Sequence, residues 1–223
     1  SWIFIVTPYV VFAVMLTASL FIPAFWVNAP LRGSGDMILL IGLFALARFF
    51  TTLSGLDTGS HFGGMGSSRD LTLAAIAEPA LLLALFAVLV PHGTTSLSVA
   101  SLRWIEGGFA MLNPVYLISL CAFFIILLAE LGRVPVDNPD THLELTMIHE
   151  GMLLEYSGRK LGWMLWATYI KQLLLMLIMI NLFFPYGMLT AWSGAGSGWA
   201  LLFLLLKLMV LSVILGCVES LFA

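Results

Sequence analysis

Six long apolar runs constrain this chain more than any other feature. They cover roughly residues 3–27, 36–56, 71–91, 114–131, 161–184 and 198–221. A helix needs about 20 mostly apolar residues to cross the hydrocarbon of a bilayer. Inside hydrocarbon the backbone must satisfy its own hydrogen bonds, so such runs predict membrane-spanning helices. Breakers fall between them: Asn28-Ala29-Pro30, Gly63-Gly64, Pro91-His92-Gly93, Pro135 with Pro139, and Gly194 to Gly198. The expectation is an all-α polytopic membrane protein, a single domain over residues 1–223 with six visible spans.

Composition enters as an exclusion. Only 9% of the residues are charged and 61% are hydrophobic, whereas a soluble domain carries about 25% charge. Too few charges remain to coat a soluble globule. Nine Lys/Arg against twelve Asp/Glu give a net charge of −3, so there is no basic footprint and no nucleic-acid partner is expected. Cys121 and Cys217 sit apart inside apolar runs and read as small packing residues. No spacing here suggests a zinc site or an iron–sulfur cluster.

Two segments between runs are polar. Residues 57–70, DTGSHFGGMGSSRD, are rich in Gly and Ser and read as a loop. Residues 130–160 hold six acids (Glu130, Asp137, Asp140, Glu144, Glu150, Glu155) and three bases (Arg133, Arg159, Lys160). Alternating spans place both segments on one side, with Arg69, Arg133, Arg159 and Lys160. The other side has Arg32 and Arg103, so the positive-inside tendency favours the charged side as cytoplasmic. Within 130–160 the pattern predicts an amphipathic loop helix. Asn138 serves as N-cap, Pro139 and Asp140 suit the first turn, and Gly158 is the stop. The tryptophans Trp2, Trp26, Trp104, Trp163, Trp192 and Trp199 fall near run ends and read as interfacial anchors.

Ionisable groups inside a bilayer cost roughly 2.5–3.5 kcal/mol each on insertion scales, so each is a functional candidate. They are Arg48, Glu78, Glu130, Lys171, Lys207 and Glu219. Three acids and three bases can form static pairs, or a row that relays protons; six such groups favour the row. His142 and His149 add titratable groups among acids, which suits proton transfer near neutrality. His61 and His92 read as solvated.

The run Ala129-Glu130-Leu131-Gly132-Arg133-Val134-Pro135-Val136-Asp137, followed by Glu144-Leu145 and Glu155-Tyr156-Ser157-Gly158, resembles the NuoH family. That family is subunit 1 of complex I, with relatives in energy-converting hydrogenases and formate hydrogenlyase. Its pattern is E-x-x-R/K-x-P-F-D, an acid-rich segment ending in E-L, then E-Y. Glu78 before Pro79 matches a family acid. The segments Ser54 to Ser60 and Gly66 to Asp70 look like the hydrogenase branch. Val136 stands where complex I members carry Phe, Asp140 and His142 where they carry Glu, and Thr168 where a later span carries Glu, with Lys171 one turn on. These departures weigh against a standard quinone chamber.

The resemblance implies about eight spans in the intact subunit. It also implies a truncated or partly ordered chain, with a first span and a surface helix preceding Ser1. It implies a membrane anchor that has no redox centre of its own. A [NiFe]-hydrogenase-like large subunit and an iron–sulfur subunit would dock on 57–70 and 130–160, through Asp57, Arg69, Arg133, Asp137, Asp140, His142, Glu144, His149, Glu150 and Glu155. Antiporter-like subunits would lie laterally in a prokaryotic cytoplasmic (inner) membrane. The expected pathway for H⁺ or Na⁺ is Arg48, Glu78, Glu130, Lys171, Lys207 and Glu219. The alternatives are a quinone-binding complex I subunit, a stand-alone secondary transporter and a purely structural anchor.

Overall fold

The computed structural model describes residues 2–24, 26–31, 36–107, 114–133, 136–137, 148–190 and 194–222. Eight α-helices occur among them: α1 (Trp2–Ser19), α2 (Asp36–Asp57), α3 (His61–Leu89), α4 (Leu97–Gly107), α5 (Pro114–Glu130), α6 (His149–Leu153), α7 (Gly158–Phe183) and α8 (Gly194–Phe222). No strand is present among the described residues, only an isolated bridge between Trp26 and Leu189. α1, α2, α3, α7 and α8 are long and apolar enough to cross a membrane. α5, at 17 residues, reaches about 25 Å, just short of a hydrocarbon core of about 30 Å. The fold is that of an all-α polytopic membrane protein.

Several boundaries differ from those the sequence suggests. The first span ends at Ser19 rather than near residue 27. Beyond it the chain turns back, and the Asn181 side-chain amide donates to the Pro23 carbonyl. Residues 61–70 are not loop but the opening turns of α3. Ser60 caps them by accepting from the Gly63 N–H at 3.1 Å, after a tight turn at Gly59 (φ +66°). Gly and Ser are tolerated in this helix because it packs closely. A Cβ on Gly63 would stand 2.7 Å from the Gly55 carbonyl, and one on Gly66 2.9 Å from that of Ile148. Small residues here are a packing requirement, not a loop signal.

Helix α4 follows Pro91 and was not legible as an apolar run. Its Trp104 is 5% exposed and packs on His92 and Tyr116, so it is a core residue rather than a lipid anchor. In the charged segment the described helix is only five residues long, and most of the expected loop helix, including Asn138, Pro139, Asp140, His142 and Glu144, lies outside the described residues. Gly158 opens α7 instead of closing that helix. Cys121 and Cys217 are exposed, on the outward faces of α5 and α8, and not in the core.

The core lies where α1, α2, α3, α5 and α7 meet, around Met15, Met37, Leu85, Phe123, Leu127 and Leu175. One end is closed by polar bonds: the Ser101 hydroxyl donates to the Asn181 carbonyl at 3.0 Å, and Tyr116 to that of Phe183. The other end gathers the start of α1, the α2–α3 turn, the end of α5, α6 and the start of α7. There Tyr156 stacks on Phe4 with centroids 4.1 Å apart and donates to its carbonyl at 3.1 Å. The described parts of both polar segments therefore meet at one end of the bundle. α8 stands at the margin, with 11% of its apolar window buried against 50% for α7.

Candidate functional site

At the end of α5 the chain must stop and turn without stranding carbonyls. Gly132 (φ +58°) does this. Its N–H donates to Ala129 at 3.2 Å and that of Arg133 to Leu128 at 3.0 Å, the pairing of a Schellman cap. Glu130, two residues earlier, is thereby held inside the bundle, facing α2 and α7.

Arg48 of α2 is the centre of what Glu130 meets. Its guanidinium donates to Glu130 and to Glu78 of α3 at 3.0 Å, and its Nε lies 3.7 Å from Asp70 of α3. Lys171 of α7 completes the cluster, 2.8 Å from the Glu130 carboxylate and 3.3 Å from its backbone carbonyl. Three acids and two bases thus come together from four helices. Asp70 and Glu130 are nearly sealed, with 3% and 5% of their side chains exposed, while Glu78 keeps 34%. A planar guanidinium suits this task, since it spreads donors over several carboxylates. Asp70 escapes a sequence reading because it falls in the Gly/Ser-rich stretch; its helical spacing to Ala74 and Ala77, both buried, is the signal that could have found it.

Toward the polar end the cluster continues through His149, the first residue of α6. Its Nε2 is 3.8 Å from Asp70 and its Nδ1 is 3.5 Å from Asp137. Asp137 accepts the backbone N–H groups of Ile148 and His149, both at 3.3 Å, and so caps the short helix from outside it. Burial raises the pKa of the Asp137 carboxyl, but the bonds and charge of His149 outweigh that and hold it below the usual aspartate value. A cavity of about 300 Å³ joins these groups, bordered by Arg48, Asp70, Glu130, Lys171, His149 and Glu219. Its wall is apolar over much of its extent, with room for water beside the charged groups.

The remaining candidates lie elsewhere. Glu219, near the end of α8, receives Arg133 on both carboxylate oxygens at 3.1 Å, a half-exposed clasp between the charged turn and α8. Lys207 does not join the row with Glu78 and Lys171. It donates to the carbonyls of Phe184, at 2.6 Å, and Tyr186 and lies over the Phe203 ring at 5.3 Å. Phe184 is 13 residues past Lys171, about 20 Å along a helix. The end of α7 leaves carbonyls without helical partners, and a cation satisfies them there. Asp57 is half-buried with one carboxylate oxygen lacking a hydrogen-bond partner among the described residues. It faces Tyr156, whose hydroxyl pKa is raised, chiefly by burial. Arg69, Glu150 and Glu155 are exposed at the polar end.

Comparison with known proteins agrees with this architecture. Residues 1–223 match the family model described as NADH dehydrogenase. Formate hydrogenlyase subunit 4 of Escherichia coli (strain K12) is 39% identical over 187 residues, 84% of this chain and 60% of that protein. Hydrogenase-4 component C of the same organism is 38% identical over 180 residues, 81% of this chain and 56% of that protein. The chain thus spans less than two thirds of these relatives. A chain in the solved structure of the membrane-bound sulfane sulfur reductase, an archaeal respiratory membrane complex, superimposes with a TM-score of 0.81. The match has 23% identity and covers 100% of this chain and 71% of that one, a likeness that bears on the fold.

Proposed function

This chain belongs to the NADH dehydrogenase family, and from that premise we propose that it is the membrane-anchor and coupling subunit of an energy-converting hydrogenase or formate hydrogenlyase-like complex. The observation that carries the reading is the buried Arg48 cluster, open through its cavity to a charged end of the bundle. Similarity to two hydrogenase-complex subunits supports the class of assembly. Its redox chemistry belongs to soluble subunits, an iron–sulfur protein and a [NiFe]-hydrogenase-like protein, seated on the polar end. Antiporter-like membrane subunits lie at its side. The polar end faces the cytoplasm of a prokaryotic inner membrane.

Coupling follows from electrostatics. A change in charge or protonation near Asp137 and His149 alters the field at Asp70. Arg48 shares its donors among Asp70, Glu78 and Glu130, so a proton gained or lost at one carboxylate changes the others' hold on it. Lys171 passes the change along Glu130. A charge moved within a poorly solvated cluster is felt strongly by its neighbours. The ion is H⁺, or Na⁺ moved in exchange by lateral subunits.

The apolar side of the cavity wall, with Val11, Met15, Phe44 and Met164, favours a second reading as a quinone-binding subunit. Purifying the complex through a tag on this chain separates the readings. Co-purification of iron–sulfur and nickel-containing subunits, with H₂ evolution that pumps ions in proteoliposomes, is the expected result. Replacing Glu130 by Gln then lowers ions moved per electron while electron transfer persists. A chain that purifies alone and carries a solute-dependent flux would overturn the proposal; quinone-dependent turnover would favour the second reading.

A further inference from the structure

Among the described residues, one titratable side chain between the charged end and the buried cluster faces a carboxylate on each side. His149 has Asp137 on its Nδ1 side and Asp70 on its Nε2 side, at 3.5 and 3.8 Å. The first carboxylate belongs to the turn after α5 and the second to α3, which in turn faces Arg48 at 3.7 Å. We propose that His149 is a proton-carrying residue that joins the charged end to the Arg48 cluster through Asp137 and Asp70. This rests on the coupling function proposed above and assigns the entry step within it.

The geometry around the ring supports a shuttling role over a fixed strut. Neither gap is a closed hydrogen bond; they exceed direct reach by about 0.3 Å toward Asp137 and about 0.6 Å toward Asp70, and the ring borders the 300 Å³ cavity. A water or a small shift closes either gap. The ring also rests against Gly132, where a Cβ would stand 2.7 Å from Nδ1. Glycine here is thus needed twice, for the positive φ of the cap and for the imidazole's place. Asp137 accepts two backbone N–H groups at the start of α6, which fixes the carboxylate the ring must meet. Among the described residues, the other charged groups that border the same cavity are Arg48, Glu130, Arg133, Glu150, Lys171 and Glu219.

The step balances as a simple transfer. Nδ1 takes a proton from the Asp137 side, directly or through water, and imidazolium forms. Nε2–H then gives its proton to the Asp70 carboxylate. The ring is left as the other neutral tautomer, and exchange with water in the cavity, one proton off Nδ1 and one onto Nε2, restores the first. One H⁺ moves inward, no electron is exchanged, and the source is solvent at the charged end.

The test uses the whole complex purified through this chain, reconstituted in proteoliposomes, with ions moved per electron read across pH. His149→Ala is expected to assemble, to keep electron transfer and to lose pumping. Added imidazole, small enough for the cavity, is expected to restore it, with a pH dependence that shifts when 4-methylimidazole is used instead. Parent pumping in His149→Ala would overturn the proposal. So would a loss that no imidazole restores, because that marks a packing role. If His149→Ala does not assemble, His149→Gln is read: assembly without pumping supports the proposal, and parent pumping or failed assembly overturns it. Glu130→Gln runs alongside. Lost pumping there with parent pumping in the His149 variants removes only this inference, whereas parent pumping in Glu130→Gln removes the coupling function itself.

Discussion

Arg48 and Lys207 are both cations set in apolar helices, and the molecule treats them oppositely. Arg48 is met by three carboxylates from α3 and α5. Lys207 is met by two backbone carbonyls and the face of a phenylalanine ring. A carboxylate can take a proton near neutrality once its surroundings change; an amide carbonyl cannot. The first arrangement can therefore answer a change of charge nearby. The second is a clamp that fastens marginal α8 to the end of α7. A charge within an apolar run is a candidate for ion transfer only when its neighbours can themselves titrate.

The sharpest way to break this contrast is to remove each cation. Arg48→Met takes the guanidinium from Asp70 and Glu78 and leaves Glu130 with Lys171 alone, and breaking such a buried group costs about 3–5 kcal/mol. The expected outcome is poor yield and a lowered thermal midpoint in detergent, partly recovered by adding Glu130→Gln. If Arg48→Met is as stable as the parent, the cluster is not held by that guanidinium.

Lys207→Met is expected to cost less, about 1 kcal/mol, because the carbonyls it leaves without a donor are exposed or only partly buried. It should leave ions moved per electron at the parent value. A Lys207→Met complex of normal stability that fails to pump would erase the distinction between clamp and cluster.

The Arg133–Glu219 clasp lies between the two regimes, one guanidinium nitrogen meeting both carboxylate oxygens but with side chains 40% and 32% exposed. Glu219→Gln is expected to change stability by about 0–1 kcal/mol. Its effect should appear as faster amide exchange near the end of α8, with the Arg48 cluster unaltered.

The smallest effect concerns acid. The Asp137 carboxyl is held below its ordinary value of 3.8, so the stability it lends α6 is present above that value and is lost as pH falls below it. Protection of the Ile148 and His149 amides should persist to about pH 4 and fade at lower pH, a dependence that Asp137→Asn removes.

How much of this was legible in the chain varies with the range of the interaction. Apolar runs and Gly/Pro breakers sufficed for the long helices, because membrane solvation acts on about 20 residues at a time. The Glu130-to-Asp137 run carried the family resemblance for a similar reason, being a local motif. Asp70 and α4 were missed for the opposite reason. Asp70 follows a Gly/Ser-rich stretch whose helical state depends on how closely α2 and the Ile148 backbone approach it. α4 is short and mixed in character, and its burial depends on Tyr116 and Asn181, distant in the chain.

The sequence by itself determined that this protein is a bundle of apolar helices, that its charges collect at one end, and which few ionisable groups enter the apolar runs. Those are consequences of solvation, summed residue by residue. Only the tertiary structure decided that Arg48, Asp70, Glu78, Glu130 and Lys171 share one site while Lys207 caps a helix end far from it. Helix packing sets which faces meet, and a charge is stabilised by whatever the facing helix presents within a few ångströms, a pairing that no local pattern encodes.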